Sequence, residues 1–418
     1  MINFKLKIKT LIITFLLAAI LLVACEADKV IPTTVSIKPE ISTTQVTKPT
    51  ADLSSSLGEF TTPSQYRFEK LPQLYLTVDP VIPPFYSKLY TFSPEIIFDH
   101  LSTQKTSLVS DDYQFLERDP NLTWSSDYEK AIFVNMEGVH LFNPDSNQFD
   151  ILYSDSFVHL PIFWDSDNLQ IIYTVDNGSA FSGDVYLLNS ETKDGKRFEF
   201  PENMMPAILG WIDEQTILLF LNESGLKPDS QKMELINRRL YTMNVKDGIL
   251  TEVSLSGDWL HTEEWRLSPD GKNLFYRTYP NAPDSYEEKR ANLLDLQTNS
   301  VEILDLPEGD FKWLPNSQGF LLIDDGFDNP ANIIWYMNWI PMQAFNFEEG
   351  SAISSLLITP DSDGAVVFLT NSFGYQFGSE QPYGYKAFFI TNDGGQDNFL
   401  IPGLNSEDWK VVFTSWGK

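Results

Sequence analysis

The stretch that most constrains this chain is Trp265-Arg266-Leu267-Ser268-Pro269-Asp270-Gly271-Lys272-Asn273-Leu274-Phe275-Tyr276. Trp265 to Leu267 and Leu274 to Tyr276 favour extended backbone. Ser-Pro-Asp-Gly between them fixes φ at Pro269 and tolerates a positive φ at Gly271, so the stretch predicts a hairpin. A second hairpin follows, Asn292 to Leu296 and Ser300 to Leu304 around the polar turn Gln297-Thr298-Asn299. Two consecutive hairpins make one four-stranded antiparallel sheet.

Looser copies recur on both sides, each with an aromatic or aliphatic landmark before a polar turn. They are Trp124 with Ser125-Ser126-Asp127, Trp164 with Asp165-Ser166-Asp167, Trp211 with Ile212-Asp213-Glu214, Trp313 with Leu314-Pro315-Asn316-Ser317, and Ile358 with Thr359-Pro360-Asp361-Ser362. Successive landmarks lie 40 to 54 residues apart, the spacing of propeller blades or just above it. Second hairpins follow, such as Val139 to Phe142 into Phe149 to Leu152, and Leu240 to Met243 through Asp247-Gly248. Six units are therefore expected in full. A seventh is expected in part, from Glu95 to Phe98 and Thr106 to Val109, with Trp409 to Trp416 as the strand that closes the ring. The fold class is all-β: a propeller of four-stranded blades over residues 64–418, seven in number, closed by the C-terminal strand. Six is the alternative, should residues 65–110 form a separate cap. The periodic tryptophans read as wedges between blades.

Around Trp265 the unit resembles the TolB-type or WD-like propeller repeats of bacterial envelope proteins, which read aromatic, Ser-Pro-Asp-Gly-Lys, apolar strand, and later a Leu-Tyr strand before an Asp–Gly turn. The match is close from Trp265 to Tyr276 and loose elsewhere: Trp124 and Trp164 lack Pro-Asp-Gly. The resemblance implies a fold. It implies no activity, because propellers host scaffolds, receptors and hydrolases alike.

Residues 1–24 carry Lys5, Lys7 and Lys9 ahead of an apolar run from Leu11 to Ala24, the pattern of a secretion signal. Its end, Leu22-Val23-Ala24-Cys25, resembles the bacterial lipobox, which implies cleavage before Cys25 and acylation of that residue. Cys25 is the single cysteine of the chain, so no intramolecular disulfide or thiolate metal cluster can form. Residues 25–63 then form a Ser/Thr/Pro-rich linker without hydrophobic period. These features imply a protein held by lipid on the extracytoplasmic side of a bacterial membrane, in the cell envelope. Net charge is -29. Such a surface repels phosphate backbones, so nucleic acid is not an expected partner.

Motifs for catalysis are absent: no Gly-x-Ser-x-Gly elbow, no His-Glu-x-x-His helix and no phosphate-binding glycine loop. His100, His140, His159 and His261 are scattered and read as solvated or strand-packed. Acidic groups occur at Asp111-Asp112, Glu263-Glu264, Asp324-Asp325 with Asp328, Glu348-Glu349, and Asp361 with Asp363. Most fall in turns, where aspartate caps backbone. Asp324, Asp325 and Asp328 are the best candidates for a cation such as Ca²⁺, and no other cofactor is expected. Long connections at 221–237, 278–289, 324–332 and 371–385 would open on one face and mark it as the binding surface. On it Phe373, Tyr375, Phe377, Tyr383 and Tyr385 could stack on a sugar or a protein hot spot. The expected function is a non-catalytic binding or scaffold protein with a protein or glycan ligand. The alternative is a propeller-type hydrolase or lyase acting on polysaccharide through carboxylates of the same face.

Overall fold

The computed structural model describes residues 71–80, 88–92, 107–110 and 122–417, apart from 136, 155–157, 180–181, 227–232, 254–261, 280–288, 325–329, 349–350, 372–384, 400 and 402–408. All regular elements within them are strands. The first three are β1 (Gln73–Pro80), β2 (Lys88–Phe92) and β3 (Ser107–Ser110). Blade 1 is β4 (Thr123–Trp124), β5 (Ala131–Asn135), β6 (Gly138–Asn143) and β7 (Gln148–Tyr153); blade 2 is β8 (Val158–Trp164), β9 (Gln170–Ser179), β10 (Ser182–Asn189) and β11 (Gly195–Phe198). Blade 3 is β12 (Met204–Asp213), β13 (Thr216–Leu226), β14 (Met233–Asn244) and β15 (Leu250–Glu252); blade 4 is β16 (Thr262–Leu267), β17 (Asn273–Thr278), β18 (Arg290–Asp295) and β19 (Ser300–Leu304). Blade 5 is β20 (Asp310–Trp313), β21 (Gly319–Asp324), β22 (Asn332–Met337) and β23 (Ile340–Asn346); blade 6 is β24 (Ser351–Ile358), β25 (Gly364–Asn371), β26 (Tyr385–Thr391) and β27 (Gln396–Phe399). The last strand, β28 (Trp409–Gly417), pairs with β1 to complete blade 7 in the order β28-β1-β2-β3.

Seven four-stranded antiparallel sheets thus form a propeller. The first strand of each blade touches its counterpart in the next, from β28 through β4, β8, β12 and β16 to β20, and again from β24 to β28. These innermost strands surround the axis. Closure comes from the pairing of Gln73 with Gly417 through Pro80 with Trp409, which joins the two ends of the ring and removes two open sheet edges.

Blade 7 differs from the expectation in composition. Its outer strands are β1, β2 and β3, of which only β3 coincides with the run expected at 106–109; Glu95 to Phe98 lies outside the described residues. The strand that receives β28 is Gln73–Pro80, which carries no landmark and no local turn signal. The strands β1, β2 and β3 belong to this blade and do not form a cap.

The core lies between blades, where facing sheets interdigitate. At the seam of blades 4 and 5, Phe275, Phe311, Phe320 and Tyr336 form a continuous stack with centroid separations of 3.8, 4.4 and 4.5 Å. Each such contact adds about 0.5–1.5 kcal/mol to the area it buries. The landmark tryptophans pack into these seams as expected, and several also latch them. Trp124 Nε1 donates to Ser415 Oγ at 2.9 Å, Trp164 Nε1 to the Thr123 carbonyl at 2.8 Å, Trp313 Nε1 to the Arg266 carbonyl at 2.9 Å, and Trp416 Nε1 to the Ile358 carbonyl at 2.7 Å. Every one of these bonds runs to the preceding blade. Trp265 breaks the pattern because Leu267, two residues on, holds the latch position; its Nε1 bonds to Thr262 Oγ1 of its own strand. The buried Nε1 of Trp211 has no hydrogen-bond partner among the described residues.

The hairpin turns repeat one device. Ser125, Ser268 and Thr359 donate to Asp127, Asp270 and Asp361 at 2.6, 2.7 and 2.6 Å, and each hydroxyl also accepts a backbone N–H from the far side of the turn. Each turn holds one residue at positive φ: Tyr128, Asn168, Gly271, Ser317 and Ser362 in blades 1, 2, 4, 5 and 6. At three seams the side chain at this position accepts a backbone N–H from the preceding turn: Ser126 N to Asn168 Oδ1 at 2.7 Å, Asp270 N to Ser317 Oγ at 3.0 Å, and Asn316 N to Ser362 Oγ at 3.0 Å. Blade 3 instead has a two-residue turn closed by Asp213 and Thr216. Its backbone comes so near blade 4 that a Cβ on Gly271 would lie 2.4 Å from the Ile212 carbonyl oxygen. The glycine in the best-preserved copy of the repeat answers a close backbone approach as well as a left-handed φ.

Candidate functional site

Because strands alternate in direction within each blade, the turns joining first to second and third to fourth strands share one end of the ring. The connections from second to third strand, with the links between blades, share the other. The long connections sit at this second end in blades 3 to 6. In blade 3 the expected connection is largely strand: β13 and β14 stay paired out to Leu226 and Met233, beyond the start of β12.

A cluster of linked polar side chains lies at this end of blade 4. Pairing of β16 with β17 shifts between Glu263–Arg277 and Arg266–Phe275, so Glu264 and Trp265 form a bulge, with Glu264 at φ 56°. Left-handed backbone costs a side-chain-bearing residue about 1–2 kcal/mol, and bulges of this kind re-aim side chains. Here the bulge turns Glu264 onto Arg277, whose Nε donates to Glu264 Oε2 at 2.7 Å. Arg277 is 1% exposed, and its Nη2 donates to the Pro307 and Gly309 carbonyls at 3.0 and 3.1 Å, fastening the link to blade 5. Glu263 accepts from the Tyr279 hydroxyl and pairs with Lys289, whose ammonium also lies 3.6 Å from Glu264. Burial pushes the Glu263 carboxyl up, but hydrogen bonds from Lys289 and Tyr279 outweigh it and hold the group below its ordinary value. The same contacts raise the Tyr279 phenol and the Lys289 ammonium. The cluster thus sets two acidic side chains, Glu263 and Glu264, against two basic ones, Lys289 and Arg277.

Three other acids of this end have basic partners as well. Asp184, 3% exposed at its side chain, accepts from Arg197 Nη2 at 2.6 Å and from the Phe200 N–H at 2.8 Å. His159 on β8 bonds through Nε2 to Asp176 on β9, beside residues 160–162, which bulge out of the pairing. Glu348 pairs with Lys386. Arg238 lies over the Trp265 ring at 4.3 Å and donates to Asn222 Oδ1 and the Thr262 carbonyl.

Among the residues singled out from sequence, Asp324 ends β21 and accepts from Asn332 Nδ2 at 3.3 Å. Asp325 and Asp328 lie outside the described residues, as do Phe373, Tyr375, Phe377, Tyr383 and Cys25. Tyr385 opens β26 at 5% exposure, packed edge-on to Phe368, and burial pushes its phenol up to about 12. Asp361 and Asp363 serve the turns of blade 6: Asp361 accepts the Asp363 N–H, and Asp363 accepts from Asn392 Nδ2. His140 is buried and stacked on Phe133 at 4.6 Å, and burial lowers its pKa. No group of three or more His, Cys, Asp or Glu among the described residues is arranged to hold a metal ion. Sequence reasoning missed the Arg277–Glu264 and His159–Asp176 pairs. Their partners are brought together by strand pairing and a bulge, and the doublet Glu263-Glu264 was the only local signal.

The sequence matches no family model and no curated protein. Among solved structures it is similar to an oligogalacturonate lyase in complex with manganese, 13% identical over 78% of this chain and 85% of that one, with a TM-score of 0.51. TolB from Acinetobacter baumannii is 14% identical over 66% of this chain with a TM-score of 0.44, and this chain spans 64% of that protein. Dipeptidyl peptidase 4 from Porphyromonas gingivalis is 11% identical over 74% of this chain and 50% of that one, with a TM-score of 0.44. At these identities what is shared is the propeller fold.

Proposed function

We propose that this protein is a lipid-anchored, extracytoplasmic propeller that acts as a non-catalytic binding or scaffold protein, taking a protein or glycan partner on the face of the long connections. The observation that carries the reading is the charge matching of that face: Glu263, Glu264, Asp176, Asp184 and Glu348 each have a cationic or imidazole partner. A general acid or base needs a pKa drawn toward the working pH, and Glu263 is drawn the other way. The topology supports the same orientation. β1 begins opposite the end of β28, at the short-turn end, so the chain that leads from Cys25 joins the ring on the side opposite the long connections.

A second reading, a hydrolase or lyase acting on polysaccharide, draws on the His159–Asp176 pair, in which a carboxylate orients a part-exposed imidazole. Photo-crosslinkers placed in cells at Tyr279 and Lys289, and separately at Asp127 and Asp194 on the short-turn end, test the first reading. A partner adduct from the first pair only, lost from membranes with Cys25→Ser, is the expected result. Polysaccharide turnover by the purified protein that disappears in Asp176→Asn would replace the first reading with the second.

A further inference from the structure

One position of the innermost strands breaks the symmetry of the ring. The residue just before the latch position is Thr123, Phe163, Gly210, Arg266, Lys312, Leu357 and Ser415 in blades 1 to 7. It is cationic only in the adjacent blades 4 and 5.

Lys312 reaches from β20 across to β24, where Nζ donates to the Leu356 carbonyl at 3.3 Å. No carboxylate pairs with it among the described residues. Asp310 and Arg266 are the charged groups that act on its ammonium, and these are engaged with each other, Arg266 Nη2 standing 3.3 Å from Asp310 Oδ1. The Lys312 side chain keeps partial solvent contact, yet the protein around it desolvates the ammonium enough to lower its pKa, with Asp310 opposing and Arg266 reinforcing the effect. Lys312 is thus a partly exposed lysine held close against protein on the innermost strands of the ring. Two cations and one carboxylate leave a surplus positive charge in a chain whose net charge is -29.

A purely structural role accounts for part of this. Blade 6 has Ile358 where blades 1, 2, 5 and 7 have a latching tryptophan, and the Lys312–Leu356 bond joins blades 5 and 6 in its place. That bond uses one of three ammonium protons, and a neutral donor would make it without desolvating a charge.

We propose that Lys312 and Arg266 form an anion-binding site beside the axis that receives a single carboxylate or phosphate group of a small ligand. Lys312 supplies two uncommitted N–H donors. Arg266, held by Asp310 and by its Nη1 bond to the Trp265 carbonyl at 3.1 Å, supplies the second charge. The site is independent of what the long connections bind and of the lipid anchor.

The test is titration of the purified full-length protein with inorganic phosphate and, separately, with glucuronate at constant ionic strength, followed by tryptophan fluorescence, for which Trp313 is the adjacent reporter. A saturable response to one of the two is expected, the responding probe showing whether a phosphate or a carboxylate is preferred. Lys312→Met should weaken it about tenfold or more, the loss of a charge-assisted hydrogen bond. Lys130→Met, at a lysine of the blade 1 short-turn end paired with Glu191, should leave the isotherm unchanged. Arg266→Gln should also weaken binding, and it carries the test should Lys312→Met fail to fold. No saturable response to either probe, or an unchanged isotherm in Lys312→Met and Arg266→Gln, overturns the proposal.

Discussion

Gly271→Ala separates two reasons for a glycine in the repeat. Gly271 has φ 70°, which costs alanine about 1–2 kcal/mol. Its added Cβ would also stand 2.4 Å from the Ile212 oxygen and 2.7 Å from the Ile212 Cα, both backbone atoms of blade 3. Relieving that contact means shifting one blade against its neighbour, an overpacking cost of about 1–3 kcal/mol. The two together come to about 3 kcal/mol. With about 2.1 cal/mol/K per residue over the roughly 260 described residues, the entropy of unfolding is about 0.5 kcal/mol/K or more, so the melting temperature should fall by up to about 6 °C. Gly271→Asn is the decisive companion. Asparagine tolerates the left-handed region, and Asn168 occupies the equivalent position in blade 2 at φ 59°. If the approach of Ile212 dominates, Gly271→Asn melts as low as Gly271→Ala in thermal unfolding followed by near-ultraviolet circular dichroism. A Gly271→Asn protein as stable as the parent would refute the reasoning and leave φ as the whole explanation.

The latch predicts an asymmetry between tryptophans. Trp416→Phe removes the bond to the Ile358 carbonyl and leaves a buried acceptor unpaired, costing about 1–3 kcal/mol beyond lost contact, whereas Trp211→Phe removes an N–H that has no partner and carries no such cost; paired urea unfolding curves measure the difference. The Glu263 cluster predicts acid sensitivity. Its folded pKa is depressed, so its contribution is fully present above the unfolded value of about 4.3 and is lost as pH falls through the lower folded value. Glu263→Gln should therefore flatten the acid limb of a plot of melting temperature against pH, and an unchanged limb would show that the cluster contributes nothing to it.

Architecture was legible in the sequence because it rests on local chemistry repeated many times. Ser-Pro-Asp-Gly makes a hairpin wherever it falls between extended runs, and a unit repeated at blade spacing must bury its faces against copies of itself. Trp124, Trp164, Trp211, Trp265 and Trp313 announced the seams, and Trp409 to Trp416 announced closure, all from short-range pattern. The charge of the cluster at Glu263 was half legible, as an acidic doublet without its cations.

What only the tertiary structure decided concerns residues far apart in the chain. The choice of Gln73–Pro80 as partner for β28 pairs Gln73 with Gly417, a contact fixed by ring geometry and not by any motif in either strand. The partners of Glu264, Lys312 and Gly271 were set in the same way, by a bulge, by a missing latch in blade 6 and by a tighter turn in blade 3. Periodicity determines that blades must pack. Which atoms meet across a seam depends on how each blade departs from the repeat, and the departures become readable only when two neighbours are seen together.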